Sequence, residues 1–464
     1  MKKIHALMVG VMLTATVTTA HAGGILTNTN QSIDFLRNPA RDAAIGLDGV
    51  YSNPAGVAFM PEGFHLGFNW QYARQTRTIT STSPYFALGR KNNGQTTKVF
   101  EGTADAPFIP SLQAAYNKGD WSIQFNFSVP GGGGSCEFAD GLGSFENVVG
   151  SIANQLKPFG AQGYDMSGYM QGRQYYFGFQ LGTGYKIYEN LAVYGGLRVL
   201  YGTATYKAKI SNIMVKTAGG YVDFSDYILA ITPAATNAGY GQMIGQLQKY
   251  AEGVNLLCNQ SSVGVAPVVG VDYKVGNFNF AAKYEFKTQI RMKNESTVNE
   301  ASEIEAVNKF KDGEHVNEDA PAQLSVGAQW APIDEVRINA GWHHYFDKQA
   351  EWYANAQDKL SHNSNEFLLG AEWDLNDRMT VSLGGQLTRY GLTDEYMNDM
   401  SFVVNSHSIG FGFSYKATDK ISLKAGYFQT MYDTYDRVTS AQPQVSDSFT
   451  RTNRVLGLGC QVDF

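Results

Sequence analysis

The feature that most restricts the fold is an alternation of apolar and polar residues that persists over segments of about ten residues. In the first clear segment, Phe64, Leu66, Phe68, Trp70 and Tyr72 alternate with small or polar residues. A period of two is typical of strands, and strands of globular domains are about half as long. A tilted strand of about ten residues is long enough to cross a bilayer. The alternation therefore predicts long strands with one face toward lipid.

Fourteen such segments follow one another along the chain. Very short connections alternate with long ones, as in barrels with tight turns at one end and extended loops at the other. Closure would remove the unpaired edges of an open sheet. The sequence therefore predicts an all-β fold, a transmembrane antiparallel β-barrel of about fourteen strands. The predicted strands lie at about 64–72, 108–117, 121–129, 173–187, 191–210, 262–274, 278–290, 320–331, 336–347, 364–375, 379–390, 402–416, 421–432 and 449–464, and the loops at about 74–107, 130–172, 211–261, 292–319, 348–363, 391–401 and 433–448.

The first 22 residues have the composition of a secretory signal peptide. Lys2 and Lys3 precede an apolar stretch over 6–17, and Ala20-His21-Ala22 is a small-x-small cleavage site. No later window approaches the roughly 18 uninterrupted apolar residues of a membrane helix. We therefore expect an exported precursor that reaches the outer membrane of a Gram-negative cell. The expected segments are the signal peptide (1–22), an amino-terminal segment (23–60) and the transmembrane barrel (61–464).

Composition limits the partners. The net charge of −6 and the pI near 5.8 leave no basic stripe, which argues against nucleic acid. The last strand ends in Phe464, and a terminal aromatic of this kind resembles the signal that the outer-membrane barrel assembly machinery recognises. We expect that machinery, outer-membrane lipid and lipopolysaccharide as partners, and a monomeric barrel.

Residues 23–60 show no strand alternation and contain Asn53-Pro54-Ala55-Gly56 shortly before the first strand. This segment resembles the amino-terminal hatch of the FadL/TodX family, which carries long-chain fatty acids and other hydrocarbons across outer membranes. In that family the hatch precedes fourteen strands, so the resemblance covers the whole mature chain. A physical argument also favours a plug, because a barrel of this size would otherwise enclose a water-filled lumen. We expect Asn53, Pro54, Ala55 and Gly56 to pin the hatch.

The resemblance implies passive uptake of hydrophobic molecules through outer loops, a lumen pocket and a rearrangement of the hatch, without catalysis or cofactor. In the family an inward kink of the third strand opens a side window, and here Pro130-Gly131 ends the predicted third strand. Two rival functions are a general porin and a scaffold or shuttle in protein secretion. No catalytic constellation is evident, and we expect no enzyme.

Apolar residues at near-helical spacing in loops 130–172 and 211–261 predict helices that form a docking surface for apolar ligands. The alternative is that the two loops pack on each other as a cap, and the two readings are compatible. The candidate ligand contacts are Ile228, Leu229, Met243, Ile244 and Leu247.

Several cations face the lumen by strand phase and are candidates for the carboxylate head of a ligand. The alternative, which we favour, is a structural charge network in the lumen with residues such as Glu285, Glu366 and Glu372. The candidate cations are Arg198, Lys283, Lys287, Arg291 and Arg337.

Three further features complete the sequence predictions. His343 and His344 point to opposite faces of one strand, so they do not form a metal site. The glycine run 131–134 lacks the Lys of a phosphate-binding loop and predicts a flexible loop. Cys136 and Cys258 lie in predicted outer loops and are hypothesised to form a disulfide, while Cys460 faces lipid.

Overall fold

The computed structural model describes residues 26–27, 32–298, 309–440 and 442–464. The predicted signal peptide lies outside the described residues, as do residues 23–25 and 28–31 of the predicted hatch. Fourteen strands form the wall, and two of them, β7 and β8, consist of two segments each. The strands are β1 (Gly63–Thr82), β2 (Thr97–Lys118), β3 (Trp121–Phe138), β4 (Gly163–Tyr188), β5 (Leu191–Thr217), β6 (Val254–Val275), β7 (Phe278–Glu285 and Arg291–Val298), β8 (His315–Asn317 and Gln323–Ile333), β9 (Val336–Tyr345), β10 (Ser364–Asn376), β11 (Met379–Arg389), β12 (Ser406–Lys416), β13 (Ile421–Tyr432) and β14 (Ser446–Asp463).

The sheet is antiparallel and closed. Each strand pairs with the next in sequence, and β1 pairs with β14 from His65↔Asp463 to Thr82↔Ser446. The two short strands Gly220–Asp223 and Tyr435–Val438 extend the hairpins at the loop end. We call the end with tight connections the turn end and the opposite end the loop end. The predicted closed barrel of fourteen strands is confirmed.

Several strands are longer than predicted. β1 continues to Thr82 and β2 begins at Thr97, so most of the predicted loop 74–107 is a strand hairpin. The extension escaped sequence analysis because both faces of residues 74–82 carry polar side chains. Alternation of apolar and polar residues marks a strand only where its two faces differ.

The interruption of β7 reverses which residues face inward. Lys283 and Glu285 are buried inside the barrel, and residues 286–290 interrupt the strand, with only an isolated bridge from Thr288 to Ala320. Beyond this irregular segment Ile290 and Met292 are buried, whereas Arg291 is exposed on the outer surface. The prediction of one continuous strand over 278–290, with Arg291 in the lumen, is therefore wrong. A one-residue shift of register sends each following side chain to the opposite face.

Apolar side chains circle the outer surface of the barrel. Alternate residues such as Phe68, Leu181, Leu369 and Leu458 are exposed, while their strand neighbours face the lumen. Aromatic rings are frequent toward the turn end, where Trp121 and Tyr185 contact each other with ring centroids 4.6 Å apart. The outer face is thus apolar over a continuous band, as lipid contact requires.

The helices among the described residues lie before β1 or in the connections between strands. A short helix, α1 (Ile33–Arg37), is capped at its amino terminus by Ser32, whose Oγ accepts a hydrogen bond from the Asp34 amide. None of the described helices has the length and apolar character needed to cross a membrane. The three longer helices lie at the loop end and are α2 (Gly143–Gln155), α3 (Phe224–Asn237) and α4 (Gly241–Gln248).

The hypothesised disulfide is wrong. Cys136 lies on β3 and Cys258 on β6, and the register runs from Cys136 through Gly172 and Tyr206 to Cys258. Three strand spacings amount to about 14 Å, whereas a disulfide needs Cα atoms within about 7 Å. All three cysteines are free. The error follows from the unexpected length of the strands, which places both residues in the wall rather than in flexible loops.

Candidate functional site

The segment before β1 lies inside the barrel and is held there by ion pairs. The carboxylate of Asp34 lies 2.6 Å from Nζ of Lys424 on β13. Arg37 lies 2.9 Å and Arg41 3.2 Å from Glu372 on β10. All of these side chains are buried or nearly so. Because buried charges are costly unless they are paired, these contacts fix α1 against one side of the lumen.

A histidine connects the hatch to β10. Nε2 of His343 lies 2.8 Å from Asp42 of the hatch, and Nδ1 lies 3.0 Å from Glu366. Tyr345 donates a further hydrogen bond to Glu366 at 2.7 Å. His344 instead points to the other face of β9, as predicted from the strand period. In the part of the chain that the structure describes, no group of three or more His, Cys, Asp or Glu side chains is arranged to hold a metal ion.

The Asn53-Pro54-Ala55-Gly56 motif contacts the wall on the opposite side of the lumen. Asn53 Nδ2 donates to Asp272 Oδ2 at 2.5 Å, and the Pro54 carbonyl accepts a hydrogen bond from Gln124 at 2.7 Å. Ala55 is fully buried against Tyr194 and Val268. A Cβ atom on Gly56 would collide with the Asn53 amide and would lie 2.7 Å from Asp272 Oδ2. All four motif residues therefore sit in a close contact between hatch and wall.

Two candidate cations hold the middle of the hatch. Lys283 donates to the Tyr51 carbonyl at 2.8 Å, and the Tyr51 ring lies 4.8 Å from Lys283 Nζ and 4.7 Å from Arg198 Cζ. Arg198 also pairs with Glu285 at 2.5 Å. Both cations therefore contact the hatch, and Arg198 in addition pairs with a wall carboxylate.

The remaining candidate cations are not directed at an apolar cavity. Arg337 forms two hydrogen bonds with Asp374, at 2.6 and 2.7 Å. Lys287 lies at the loop end, 3.3 Å from Asp319 and 3.1 Å from Glu351. Arg291 is exposed on the outer wall. The geometry of Arg198, Lys287 and Arg337 is that of a structural charge network.

The wall is interrupted between β2 and β3. Their pairing stops at Asp105↔Ser135 and resumes at Leu112↔Phe127. Over the same stretch β3 shifts register against β4. Gly132 has a φ of +106°, and a Cβ atom there would collide with the Gln174 carbonyl. The glycine run is thus a bend within β3, and its prediction as a flexible loop after the strand is wrong.

A cavity of about 220 Å³ lies between α1 and this interruption. Phe35 and Leu36 of α1 form its inner side, and Phe108 and Phe177, whose strand neighbours face inward, lie on its outer side. The cavity therefore extends from the hatch into the wall. It is also lined by Gln71, Ala73, Gln75, Ala104, Ala106, Ile109, Pro110, Val129, Gly132, Gly134, Tyr175, Phe428, Asn453 and Val455.

The loop helices pack on one another above the lumen. Ile228, Ile244 and Leu247 are at most 1% exposed and belong to one large apolar cluster at the loop end, against which Met243 packs. Leu229 is 71% exposed. Most of the apolar candidates thus form the predicted cap, and Leu229 alone of the five is available on its surface.

A buried carboxylate joins two outer loops. The Ser144 amide at the start of α2 donates to Asp399 Oδ2 at 2.7 Å. Burial, reinforced by the nearby Asp447 carboxylate, raises the pKa of Asp399 above its usual range. This contact ties the α2 loop to the loop between β11 and β12, so the cap is held by polar as well as apolar contacts.

The cavity residues were not identified from the sequence. Phe35 and Phe428 are in contact, with ring centroids 5.4 Å apart, although about 390 residues separate them in the chain. The one local signal was Pro130 followed by four glycines, which is typical of a strand that bends or lets another backbone approach closely.

The chain has no match among protein-family models or among curated proteins. Solved structures are similar in fold. A Pseudomonas aeruginosa FadL homologue matches with a TM-score of 0.64 at 11% identity, over 95% of this chain and 99% of that chain. The Pseudomonas putida toluene transporter TodX matches with a TM-score of 0.58 at 14% identity, over 90% and 94%.

The Ralstonia pickettii toluene transporter TbuX matches with a TM-score of 0.52 at 14% identity, over 97% of this chain and 99% of that chain. The similarity spans nearly the full length of each structure. The chain therefore has the fold of the FadL and TodX type of outer-membrane β-barrel.

Proposed function

We propose that this protein is a member of the FadL/TodX family and an outer-membrane channel for the passive uptake of hydrophobic molecules. The observation that carries the proposal is the cavity of about 220 Å³ between α1 and the interrupted wall. An apolar cavity of about 150 Å³ is enough to bind benzene. A volume of this size suits one aromatic ring or part of an alkyl chain.

The route that we propose begins at the loop end. A hydrophobic molecule would bind the apolar cap, enter the lumen and occupy the cavity beside Phe35 and Leu36. A small movement of α1 would widen the cavity toward the interruption between β2 and β3. The molecule would then leave sideways without crossing a column of water, which apolar solutes avoid.

The filled lumen argues against a general porin. Hatch residues such as Arg41, Tyr51 and Asn53 are buried and contact several sides of the wall. A porin instead keeps a continuous aqueous channel through a wide barrel. The exposed apolar band on the outer surface supports a location in the outer membrane.

Two transport assays on the same protein test the proposal. Cells that contain the barrel should take up labelled toluene or a labelled long-chain fatty acid faster than cells without it, at equal outer-membrane integrity. Liposomes that contain the purified barrel should not swell in sugar solutions. Swelling in sugars without any gain in apolar uptake would indicate a porin and would contradict the proposal.

A further inference from the structure

Two exposed arginines lie side by side on the outer wall, where β1 meets β14. Arg74 and Arg454 are direct partners in the strand register. The side chain of Arg74 is 60% exposed, and Arg454 is exposed as well. Their chain neighbours Ala73 and Val455 line the internal cavity, and successive side chains of a strand point to opposite faces. Both guanidinium groups are therefore outside the barrel.

The outer wall changes character at this pair. Toward the turn end, the outward residues of the same two strands are apolar or aromatic, and they include Tyr72, Leu456 and Leu458. Toward the loop end, the outward residues carry hydroxyl groups. The cross-strand pairs there are Thr76 with Thr452, Thr78 with Thr450, Thr80 with Ser448 and Thr82 with Ser446. The two arginines thus mark the border between the apolar band and a polar surface.

This border has the layering of the outer leaflet. In outer-membrane barrels the long loops face the cell exterior, so the loop-end border of the apolar band lies in that leaflet. Its main lipid is lipopolysaccharide, in which phosphate groups lie between the acyl chains and the outer sugars. Acyl chains would meet the apolar band, phosphates the two arginines, and sugars the hydroxyl groups. Each layer of the lipid thus meets side chains of matching chemistry.

The two positive charges are only partly balanced across the neighbouring strands. Like charges at directly opposed positions destabilise a sheet. Asp105 on β2 lies 3.8 Å from Nε of Arg74 and accepts a hydrogen bond from Tyr72 at 3.1 Å. This carboxylate is half exposed, and an exposed ion pair stabilises little. The register partner of Arg454 on β13 is the uncharged Gln429. An anion held between the two guanidinium groups would offset their repulsion.

Exposed cations at the turn end are placed differently. Arg378 directly follows Asp377, and Lys420 directly follows Asp419, all four in exposed turns. Each of these cations has a carboxylate on the adjacent residue, and neither is a cross-strand partner of another cation. These two turns therefore supply a control of equal charge without a paired arrangement.

We propose that Arg74 and Arg454 together bind a phosphate group of lipopolysaccharide, with the acyl chains of the lipid against Leu456 and Leu458. The forked guanidinium donors match the geometry of a phosphate and form charge-assisted hydrogen bonds with it. The site rests on the location given in the proposed function, the outer membrane. It is independent of transport, because both arginines lie outside the lumen.

The test is equilibrium binding of lipids to the purified full-length barrel in a neutral detergent, measured by native mass spectrometry. The probes are lipid A, which is the phosphorylated anchor of lipopolysaccharide, the same lipid A without its phosphates, and phosphatidylglycerol. Wild-type protein should bind the first molecule of phosphorylated lipid A about tenfold more tightly than either other probe, as expected for charge-assisted hydrogen bonds. In Arg74→Gln/Arg454→Gln this affinity should fall to that for dephosphorylated lipid A.

Two further variants separate the paired arginines from charge in general. Arg378→Gln/Lys420→Gln removes the same charge at the turn end and should keep the full preference for phosphorylated lipid A. Arg74→Lys/Arg454→Lys keeps the charge but loses the forked donors, so it should retain part of the preference. Because all of these side chains are exposed, each variant should assemble, which heat-dependent mobility on gels checks.

Three outcomes would overturn the site. Equal affinity of wild-type protein for phosphorylated and dephosphorylated lipid A would show that no phosphate is recognised. An unchanged preference in Arg74→Gln/Arg454→Gln would place the phosphate elsewhere. Binding of phosphatidylglycerol as tight as that of phosphorylated lipid A would show a general attraction for anionic lipids. The proposed channel would stand in all three cases, and a failure of the uptake assays would leave the lipid site untouched.

Discussion

Asn53 in the hatch and Asp272 on β6 share a hydrogen bond of 2.5 Å, donated by Nδ2 of the asparagine to Oδ2 of the carboxylate. The same carboxylate oxygen accepts from Asn279 at 2.9 Å, and Asn53 also donates to the Ala44 carbonyl at 3.3 Å. One side chain thus connects two parts of the hatch to the wall.

Replacing this side chain should loosen the hatch. We expect Asn53→Ala to cost about 1–3 kcal/mol at the contact, because it removes a donor from a buried carboxylate. Combined with Pro54→Ala, it should raise entry of small polar antibiotics and lower uptake of a labelled fatty acid. Both fluxes are measured in the same cells at matched barrel abundance, with Asn190→Ala in an exposed turn as the control. Two unchanged fluxes would show that the motif does not gate the lumen.

Substitution of Gly56 should loosen the hatch as much as substitution of Asn53, although Gly56 carries no side chain. In Gly56→Ala the new Cβ would collide with the Asn53 amide and approach Asp272. We expect the same increase in antibiotic sensitivity as for Asn53→Ala. Gly245→Ala is the matched control, because this helical glycine has open space around it and alanine favours helices by up to about 1 kcal/mol. If cells with Gly56→Ala were no more sensitive to antibiotics than cells with Gly245→Ala, the close contact at Gly56 would be contradicted.

The position of the hatch in the lumen should also depend on Glu372. This carboxylate lies within 4 Å of three arginines, Arg37, Arg41 and Arg337. Glu372→Gln leaves buried positive charge without its counter-ion, and loss of one member of a buried pair typically costs about 3–5 kcal/mol. We expect residues 32–60 to become sensitive to added protease while the barrel itself stays resistant. Asp377→Asn in an exposed turn should leave the protease pattern unchanged. A protected hatch in Glu372→Gln would show that this network does not hold it.

The bend in β3 should be necessary for apolar uptake. Gly132 has a φ of +106°, and its missing side chain faces the Gln174 carbonyl, so Gly132→Ala must alter the path of the strand. We expect a folded barrel with reduced uptake of labelled toluene. Gly195→Ala on the outer face of β5, where nothing lies within 4 Å, should transport normally. Normal uptake by both variants would remove the bend from the pathway.

The wall of the barrel could be predicted because the alternation is local. The alternation from Phe64 to Tyr72 alone predicts both a strand and its outward face. Each tight turn then indicates where the next strand begins. The error at Arg291 arose where five residues interrupt the strand, because the alternation of inward and outward residues does not carry across an irregular segment. Strand length was underestimated wherever both faces are polar.

The site could be predicted only where its residues are contiguous. One short motif consists of Asn53, Pro54, Ala55 and Gly56. The sequence predicted that this motif would contact the wall, but it did not show which wall residues it would meet. The contact between Asp34 and Lys424 joins residues almost 400 positions apart, and no pattern within either segment reveals it.

The central claim is that hydrophobic molecules pass through the cavity beside α1. Ala73 lines that cavity on β1, opposite Val455 in the register. Ala73→Phe would fill the space without changing any charge or hydrogen bond, and Ala73→Ser keeps the original volume. The decisive measurement is the initial rate of labelled toluene and fatty-acid uptake by cells with equal amounts of assembled barrel. We predict that Ala73→Phe falls to the rate of cells without the protein and that Ala73→Ser stays near wild type. Wild-type uptake by a correctly assembled Ala73→Phe barrel would contradict the account.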